Sequence, residues 1–175
     1  MPIASMAFGF ATVLINFANC GFYEFETAIV GVSFAFGGLI QLICGILLYH
    51  RNDSFTGLIH VTYGLFWWVL ICTYIIPPYY GVHVSSEKSM GFFFLVWTVY
   101  TAFVVIGNFQ NTVAGILAFI SLFLFLLMLC ITFFTHSSVL QKVAGYFGIV
   151  NGCFSFYAGA STAVNEKWGR RILPV

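Results

Sequence analysis

Charged residues are scarce in this chain. Asp, Glu, Lys and Arg make up 6% of its 175 residues, whereas about 25% is usual for a soluble domain. So few charges cannot coat a surface that faces water. No basic stretch is long enough to form a phosphate-binding patch, so we expect no nucleic-acid partner. The scarcity of charge excludes an ordinary soluble domain and indicates a membrane protein that is in contact with lipid.

Long apolar runs occupy the regions that are free of charge. The six basic and five acidic residues all fall outside six such runs, at about 3–22, 27–49, 56–76, 89–107, 113–135 and 143–164. Each run has about the 20 residues that a helix needs to cross a hydrocarbon core ~30 Å thick, and a helix satisfies its backbone hydrogen bonds internally. We therefore predict an all-α integral membrane protein, a bundle of six transmembrane helices in one domain over residues 1–175.

The basic residues predict the orientation of these spans. With six spans, both termini and the second and fourth connections lie on the same side of the membrane. Four of the six basic residues are on that side, Arg51 and three in the tail at 165–175, whereas Lys88 and Lys142 are on the other. The positive-inside rule then predicts that both termini, and with them the C-terminal tail, are cytoplasmic.

Clusters of residues for metal binding or catalysis are also missing. The five cysteines fall no more than one to a run and form no CxxC pair or Cys/His cluster. Only His60 lies deep in a run, whereas a haem held by two axial histidines would need a second at matching depth. No nucleophile, base and orienting residue can be assembled. We expect no metal, no cofactor and no enzymatic activity.

Polar residues recur at helical spacing within the apolar runs. The groups are Phe8, Thr12, Asn16 and Asn19 in the first run, Gln41 in the second, Thr56, His60, Tyr63 and Trp67 in the third, and Asn151 with Ser155 in the sixth. They supply neutral hydrogen-bonding groups and no fixed charge, which suits a path that releases its cargo. Hydrogen bonding between helices is the alternative. The candidate substrate-binding residues are Thr12, Asn16, Gln41, Tyr63 and Asn151.

Several segments resemble one known family. The closing segment NEKWGRRILP (Asn165–Pro174), the stretch FTGLIHVTYGLFW (Phe55–Trp67) and the stretch FAFGGLIQLICGILLY (Phe34–Tyr49) are similar to the acetate uptake transporter family, the succinate–acetate permeases. The spacing from Phe8 to Asn16 also fits. The resemblance extends over nearly the whole chain and is most specific in the tail.

The resemblance implies a fold and a function. It implies six helices around a pore in each protomer, a homohexamer, and an apolar constriction formed here by Phe8, Tyr63 and Leu122. We expect the plasma membrane as the location. Leu122 is assigned through the resemblance alone. The expected cargo is a small monocarboxylate, chiefly acetate and with succinate as a further candidate. We hypothesise that Tyr63 offers its hydroxyl to the carboxylate while Phe8 packs on the methyl group, and that any coupled proton is the substrate's own.

Two other functions stay open at this point. One is a channel for a different small solute such as formate, ammonia or water, although the solitary His60 argues against the paired histidines expected of an ammonia pore. The other is a membrane scaffold that transports nothing. In a scaffold, the small-residue faces at Gly37, Gly45, Gly148 and Gly152 would bind partners.

Overall fold

A computed structural model describes residues 2–80 and 83–174, and within these ranges the chain is helical without strands. The helices are α1 (Pro2–Cys20), α2 (Thr27–His50), α3 (Ser54–Tyr80), α4 (Glu87–Gly107), α5 (Val113–Thr135) and α6 (Ser138–Trp168). Five of them, α1 to α5, are long and apolar enough to cross a membrane. The prediction of an all-α helical membrane bundle is therefore confirmed.

Helix α6 is different because it packs through small residues. A Cβ atom placed on Gly9 of α1 would lie 2.7 Å from the carbonyl oxygen of Gly152, and one placed on Gly152 would lie 3.0 Å from the carbonyl oxygen of Gly9. Only glycine permits backbones to approach this closely. Helix α6 also carries polar and charged residues, among them Lys142, Asn151 and Glu166, and it is less apolar than the other five helices.

The small-residue face of α2 is also used inside the chain. A Cβ atom on Gly37 would lie 2.7 Å from the indole ring of Trp67, and one on Gly45 would lie 2.7 Å from the backbone nitrogen of Val61. Both neighbours belong to α3. The faces that a scaffold would offer to partners thus hold α1, α2, α3 and α6 together.

Helix α3 continues through two prolines. The third apolar run of the sequence ends at residue 76, directly before Pro77-Pro78, and α3 continues beyond it to Tyr80. The φ angle of proline is compatible with a helix, and its main cost is a lost hydrogen bond. Membrane helices tolerate that loss when neighbouring groups satisfy the freed carbonyls.

The middle of α2, Ser33–Ile40, is a π-helix. Two carbonyl groups of this wider helix accept hydrogen bonds from side chains. The Nε2 of Gln41 donates to the carbonyl of Gly37 at 2.6 Å, and the Nε1 of Trp68 donates to the carbonyl of Phe34 at 3.1 Å. Such π-helical turns are often found at functional sites. Here the π-helix ends directly before Gln41, which is one of the candidate site residues.

The C-terminal motif folds back onto its own helix. The Nδ2 of Asn165 donates to the carbonyl of Leu173 at 2.9 Å, while its Oδ1 accepts the N–H groups of Ile172 and Leu173 at 2.7 and 2.9 Å. Gly169, with φ of +61°, turns the chain at the end of α6. The specific spacing in this motif thus has a structural cause.

Candidate functional site

Two cavities lie inside the bundle. The first, which we call the Glu87 cavity, has a volume of about 210 Å³ and includes Glu87 and His136 in its wall. The second, the Asp53 cavity, has a volume of about 340 Å³ and includes Asp53 and Asn108. Glu87 begins α4 and Asn108 directly follows its end. The two cavities therefore extend toward opposite ends of the bundle.

Three side chains line both cavities, and we call them the neck: Phe8 of α1, Tyr63 of α3 and Leu122 of α5. They are 8%, 2% and 4% exposed. The rings of Phe8 and Tyr63 meet edge to face with centroids 6.0 Å apart. The structure thus brings together the three residues that the resemblance implied. Their role as a constriction stays a prediction.

The hydroxyl of Tyr63 is hydrogen-bonded to Thr101, which is not in the wall of either cavity. Its oxygen lies 2.7 Å from the Oγ1 of Thr101, and that Oγ1 donates its own proton to the carbonyl of Trp97 at 2.7 Å. Since a threonine hydroxyl has one proton, Tyr63 is the donor to Thr101. Tyr63 can therefore offer a substrate only a lone pair. This geometry does not support the hypothesis that Tyr63 donates to a carboxylate.

The wall of the Glu87 cavity consists mostly of aromatic and aliphatic side chains, and polar groups lie between them. Thr12 and Trp67 are two of these groups, and they are 1% and 3% exposed. Neither the Oγ1 of Thr12 nor the Nε1 of Trp67 has a hydrogen-bond partner among the described residues. At the end of the cavity the Nδ1 of His136 contacts the carboxylate of Glu87.

The wall of the Asp53 cavity exposes a larger share of polar surface. Gln41 and His60 face each other there, with the Oε1 of Gln41 3.4 Å from the Nδ1 of His60. The Oδ1 of Asn108 accepts from Asn111 at 3.0 Å, and the Nδ2 of Asn108 has no partner among the described residues. Neutral amide and imidazole groups thus surround this cavity, together with the carboxylate of Asp53.

Two candidate substrate-binding residues are not in the wall of either cavity. The Nδ2 of Asn16 donates to the carbonyl of Thr12 at 2.8 Å within α1. Asn151 joins α6 to α5, because its Nδ2 donates to the carbonyl of Ala118 at 2.6 Å and to the Oγ of Ser121 at 3.3 Å. Thr12, Gln41 and Tyr63 do line the cavities. The hydrogen bonds of Asn16 and Asn151 indicate a structural role.

Sequence reasoning missed Thr101 and Asn108. Thr101 is one of several threonines in apolar helices, and only its contact with Tyr63 distinguishes it. Asn108 lies in a short turn where an asparagine is unremarkable from sequence. Trp67 belongs to the group Thr56, His60, Tyr63 and Trp67 on one face of α3, which we call the α3 stripe. Nothing in its spacing indicates that its indole N–H is unpaired. Among residues 2–80 and 83–174, no three His, Cys, Asp or Glu side chains are grouped so as to hold a metal ion.

Comparison with known proteins agrees with this architecture. The model of the GPR1/FUN34/yaaH family matches residues 1–172. The succinate-acetate/proton symporter SatP of Escherichia coli (strain K12) is 26% identical over 99% of this chain and 93% of its own length. The ammonia transport outward protein 3 of Saccharomyces cerevisiae is 27% identical over 90% of this chain, which covers 60% of that protein.

A solved structure of the bacterial acetate channel SatP has the same fold. It matches this chain with a TM-score of 0.97 and 26% identity, covering 99% of this chain and 96% of the other. The protein is thus a multi-pass membrane protein, and the resemblance to the acetate uptake transporters is confirmed. These relatives are named as transporters or as a channel, which suggests a non-enzyme. On the family match over nearly its full length, the chain belongs to the GPR1/FUN34/yaaH family.

Proposed function

We propose that the protein conducts short monocarboxylic acids across a membrane, chiefly acetate and with succinate as a second candidate. The observation that carries the proposal is the neck, where Phe8, Tyr63 and Leu122 line two cavities that extend toward opposite ends of the bundle. An apolar neck disfavours hydrated ions, because they would have to lose water there. The same fold in an acetate channel supports acetate as the cargo.

The cargo passes the neck as the neutral acid, carrying its own proton. No Lys or Arg is among the described residues that line the cavities, so no fixed cation stabilises an anion there. The proton of Tyr63 is already donated to Thr101, and its remaining lone pair suits the O–H of an undissociated acid. A carboxyl group titrates near pH ~4, so this species becomes rarer as the pH rises. Proton-coupled transport follows without a carboxylate relay.

We also propose an orientation, a membrane and an oligomeric state for this path. We assign the Asp53 cavity to the cytoplasmic side, where the positive-inside rule puts Arg51 and both termini, and the Glu87 cavity to the outside. We also propose a location in the plasma membrane and a homohexamer embedded in lipid, and the family resemblance supports the hexamer. The exposed apolar side chains of α4, among them Val96, Phe103 and Ile106, suit contact with lipid or with a second protomer.

Uptake of labelled acetate into proteoliposomes tests the proposal. The wild type is compared with Tyr63→Ala and with Tyr146→Ala, a control whose ring is 55% exposed on α6. We expect saturable uptake above that of empty liposomes, altered by Tyr63→Ala alone and increased by an inward proton gradient. Uptake that stays flat between acidic and neutral pH at constant anion concentration contradicts the neutral-acid route.

A panel of solutes separates the other functions. Labelled formate, methylammonium and water flux are measured in the same vesicles. Flux of methylammonium without acetate would favour the ammonia function that the name of the yeast relative suggests. Folded protein that transports none of these solutes would favour the scaffold.

A further inference from the structure

Two unpaired donors lie one helical turn from the neck, on the same side of it. Thr12 follows Phe8 by four residues on α1, and Trp67 follows Tyr63 by four residues on α3. Thr12 and Trp67 line the Glu87 cavity and are not in the wall of the Asp53 cavity. A substrate in the Glu87 cavity would meet both residues just before the neck.

Thr12 differs from other buried threonines of this chain. Thr98 and Thr132 each donate their hydroxyl to the carbonyl four residues earlier, at 2.7 and 2.8 Å. This is the usual partner of a threonine inside a helix. The hydroxyl of Thr12 has no partner among the described residues. Its proton is therefore not used by the carbonyl groups of its own helix.

Trp67 differs from its neighbour in the same way. The Nε1 of Trp68 donates to the carbonyl of Phe34 at 3.1 Å, whereas the Nε1 of Trp67 is buried and has no partner among the described residues. The indole of Trp67 is held in place by Gly37, where a Cβ atom would come within 2.7 Å of the ring. An indole N–H can only donate, so the group that satisfies it must be an acceptor.

The surrounding wall narrows the chemistry of that acceptor. Ile15, Leu70 and Leu126 line the same cavity and offer apolar contacts. A ligand that fits has one or two acceptor oxygens and a short hydrocarbon part. A cation such as methylammonium has no acceptor and leaves both donors unsatisfied, at a cost in binding. The shared chemistry is that of a short monocarboxylic acid.

We propose that Trp67 and Thr12 form a carboxyl-binding subsite on the Glu87 side of the neck, with the indole N–H and the threonine hydroxyl both donating to oxygen atoms of the acid. This inference rests on the proposed function and adds a position in the Glu87 cavity where the acid binds before it reaches the neck. The apolar part of the acid lies against the aliphatic side chains. The subsite orients the acid and removes water from its carboxyl group before it passes Phe8 and Tyr63.

Indole NMR tests the subsite directly. The chain has four tryptophans, so protein labelled with [¹⁵N]tryptophan gives four indole N–H signals, and Trp67→Phe identifies one. Adding acetate at constant ionic strength is expected to move the Trp67 signal saturably and to leave that of Trp68 in place. Methylammonium chloride is expected to move neither. A Trp67 signal that stays fixed while the wild type takes up acetate overturns the subsite.

Transport kinetics give a second measurement. Trp67→Phe keeps an aromatic ring and is expected to raise the KM for acetate about tenfold, as expected for one lost hydrogen bond, with the maximal rate changed less. Thr12→Val is expected to raise KM about threefold. Trp68→Phe, which also removes an indole N–H, is the matched control and should leave KM unchanged. Equal KM values in all four proteins overturn the subsite.

The same experiments distinguish failure of the subsite from failure of the proposed function. A saturable shift of the Trp67 signal without acetate uptake supports the subsite and overturns transport. Uptake with an unmoved signal and an unchanged KM supports transport and overturns the subsite. Neither shift nor uptake overturns both.

Discussion

The two cavities differ more in the chemistry of their walls than in size. In the Glu87 cavity most lining side chains are aromatic or aliphatic, and the donors of Thr12 and Trp67 are unpaired. In the Asp53 cavity, amide, hydroxyl and imidazole groups make up much of the wall. A solute therefore meets a larger share of polar surface in the Asp53 cavity than in the Glu87 cavity.

This difference explains how one path can be both selective and permissive. A carboxyl group that enters the apolar cavity loses water and regains hydrogen bonds only where a donor is available, which disfavours solutes of the wrong shape. On the polar side many weak partners compete for it, and weak sites release their cargo. We expect selectivity to arise at the neck and in the Glu87 cavity.

The largest expected effect comes from removing the boundary between the cavities. Leu122→Ala takes away the aliphatic part of the neck and should join the two cavities. The ratio of butyrate to acetate uptake is expected to rise by about 10- to 100-fold, because each methylene that an apolar site can admit is worth about 1–3 kcal/mol. The measurement is competitive uptake of the two labelled acids into proteoliposomes.

The control for this variant lies on the same helix. Leu127→Ala removes the same atoms from a partly buried leucine that is not in the wall of either cavity. A buried Leu→Ala change costs roughly 2–5 kcal/mol of stability, so thermal unfolding is recorded for both variants. A ratio that rises equally in both, or in neither, would show that Leu122 is not part of the barrier.

The class of the molecule and much of the path could be predicted from the sequence. Segregation of charge is sufficient to predict membrane helices, because a charge at mid-bilayer is costly wherever the helix packs. The α3 stripe continues along both cavities, with Thr56 and His60 on one side of Tyr63 and Trp67 on the other. Spacing predicts which residues of one helix share a face, and in α3 that face is the path.

The same spacing argument is less accurate over longer distances along a helix, as Asn16 of α1 shows. Eight residues after Phe8, Asn16 is rotated by about 80°, whereas Asn19 is rotated by only about 20°. Asn19 accordingly lines the Glu87 cavity with Phe8, and Asn16 instead contacts Gly148 of α6. Residues at i, i+4 and i+8 rotate progressively around the helix, so the third one no longer lies on the same narrow face as the first.

Other features depend on contacts between helices, and the spacing of residues within one helix does not reveal such contacts. Helix α5 is apolar on all sides, so no periodicity distinguishes Leu122 from its neighbours. The direction of the Tyr63 hydrogen bond depends on where Thr101 gives its proton. Pro77-Pro78 directly follow the third apolar run, yet the backbone of α3 stays helical as far as Tyr80.

A smaller effect is expected from changing the hydrogen bond behind the neck. Thr101→Val keeps the shape of the side chain and removes the acceptor for the Tyr63 proton. Tyr63 then has a free proton to donate to a carboxylate, so uptake should depend less steeply on pH. We expect the ratio of uptake at pH 5 to uptake at pH 7 to fall about fivefold, which corresponds to about 1 kcal/mol for one hydrogen bond.

Thr98→Val is the matched control for this change. Thr98 lies one turn away on α4, is equally buried and makes the same bond to its own helix, at 2.7 Å to the carbonyl of Phe94, but has no tyrosine partner. It should keep the wild-type pH dependence. If Thr101→Val keeps it as well, Tyr63 does not select the neutral acid.

The smallest expected effect concerns the carboxylates at the outer ends of the two cavities. Glu87 is more than half exposed and in contact with His136, and Asp53 is exposed and accepts the backbone N–H of Thr56 at 3.2 Å. Two charges 4 Å apart in water interact by only about 1 kcal/mol. Glu87→Gln is expected to raise the ratio of succinate to acetate uptake about two- to threefold when solutes enter from the Glu87 end, because a dianion is repelled more than a monoanion.

Asp53→Asn provides the comparison, since it should produce the same change only for solutes that enter from the Asp53 end. Right-side-out and inside-out vesicles measure the two directions separately. At about 1 M salt the Debye length is only ~3 Å, so both effects should disappear if they are electrostatic. An effect that persists in high salt, or that is the same from both ends, would mean that these carboxylates act through local structure. The selectivity against dianions would then arise deeper in the cavities and at the neck, where the protein offers neutral hydrogen-bonding groups.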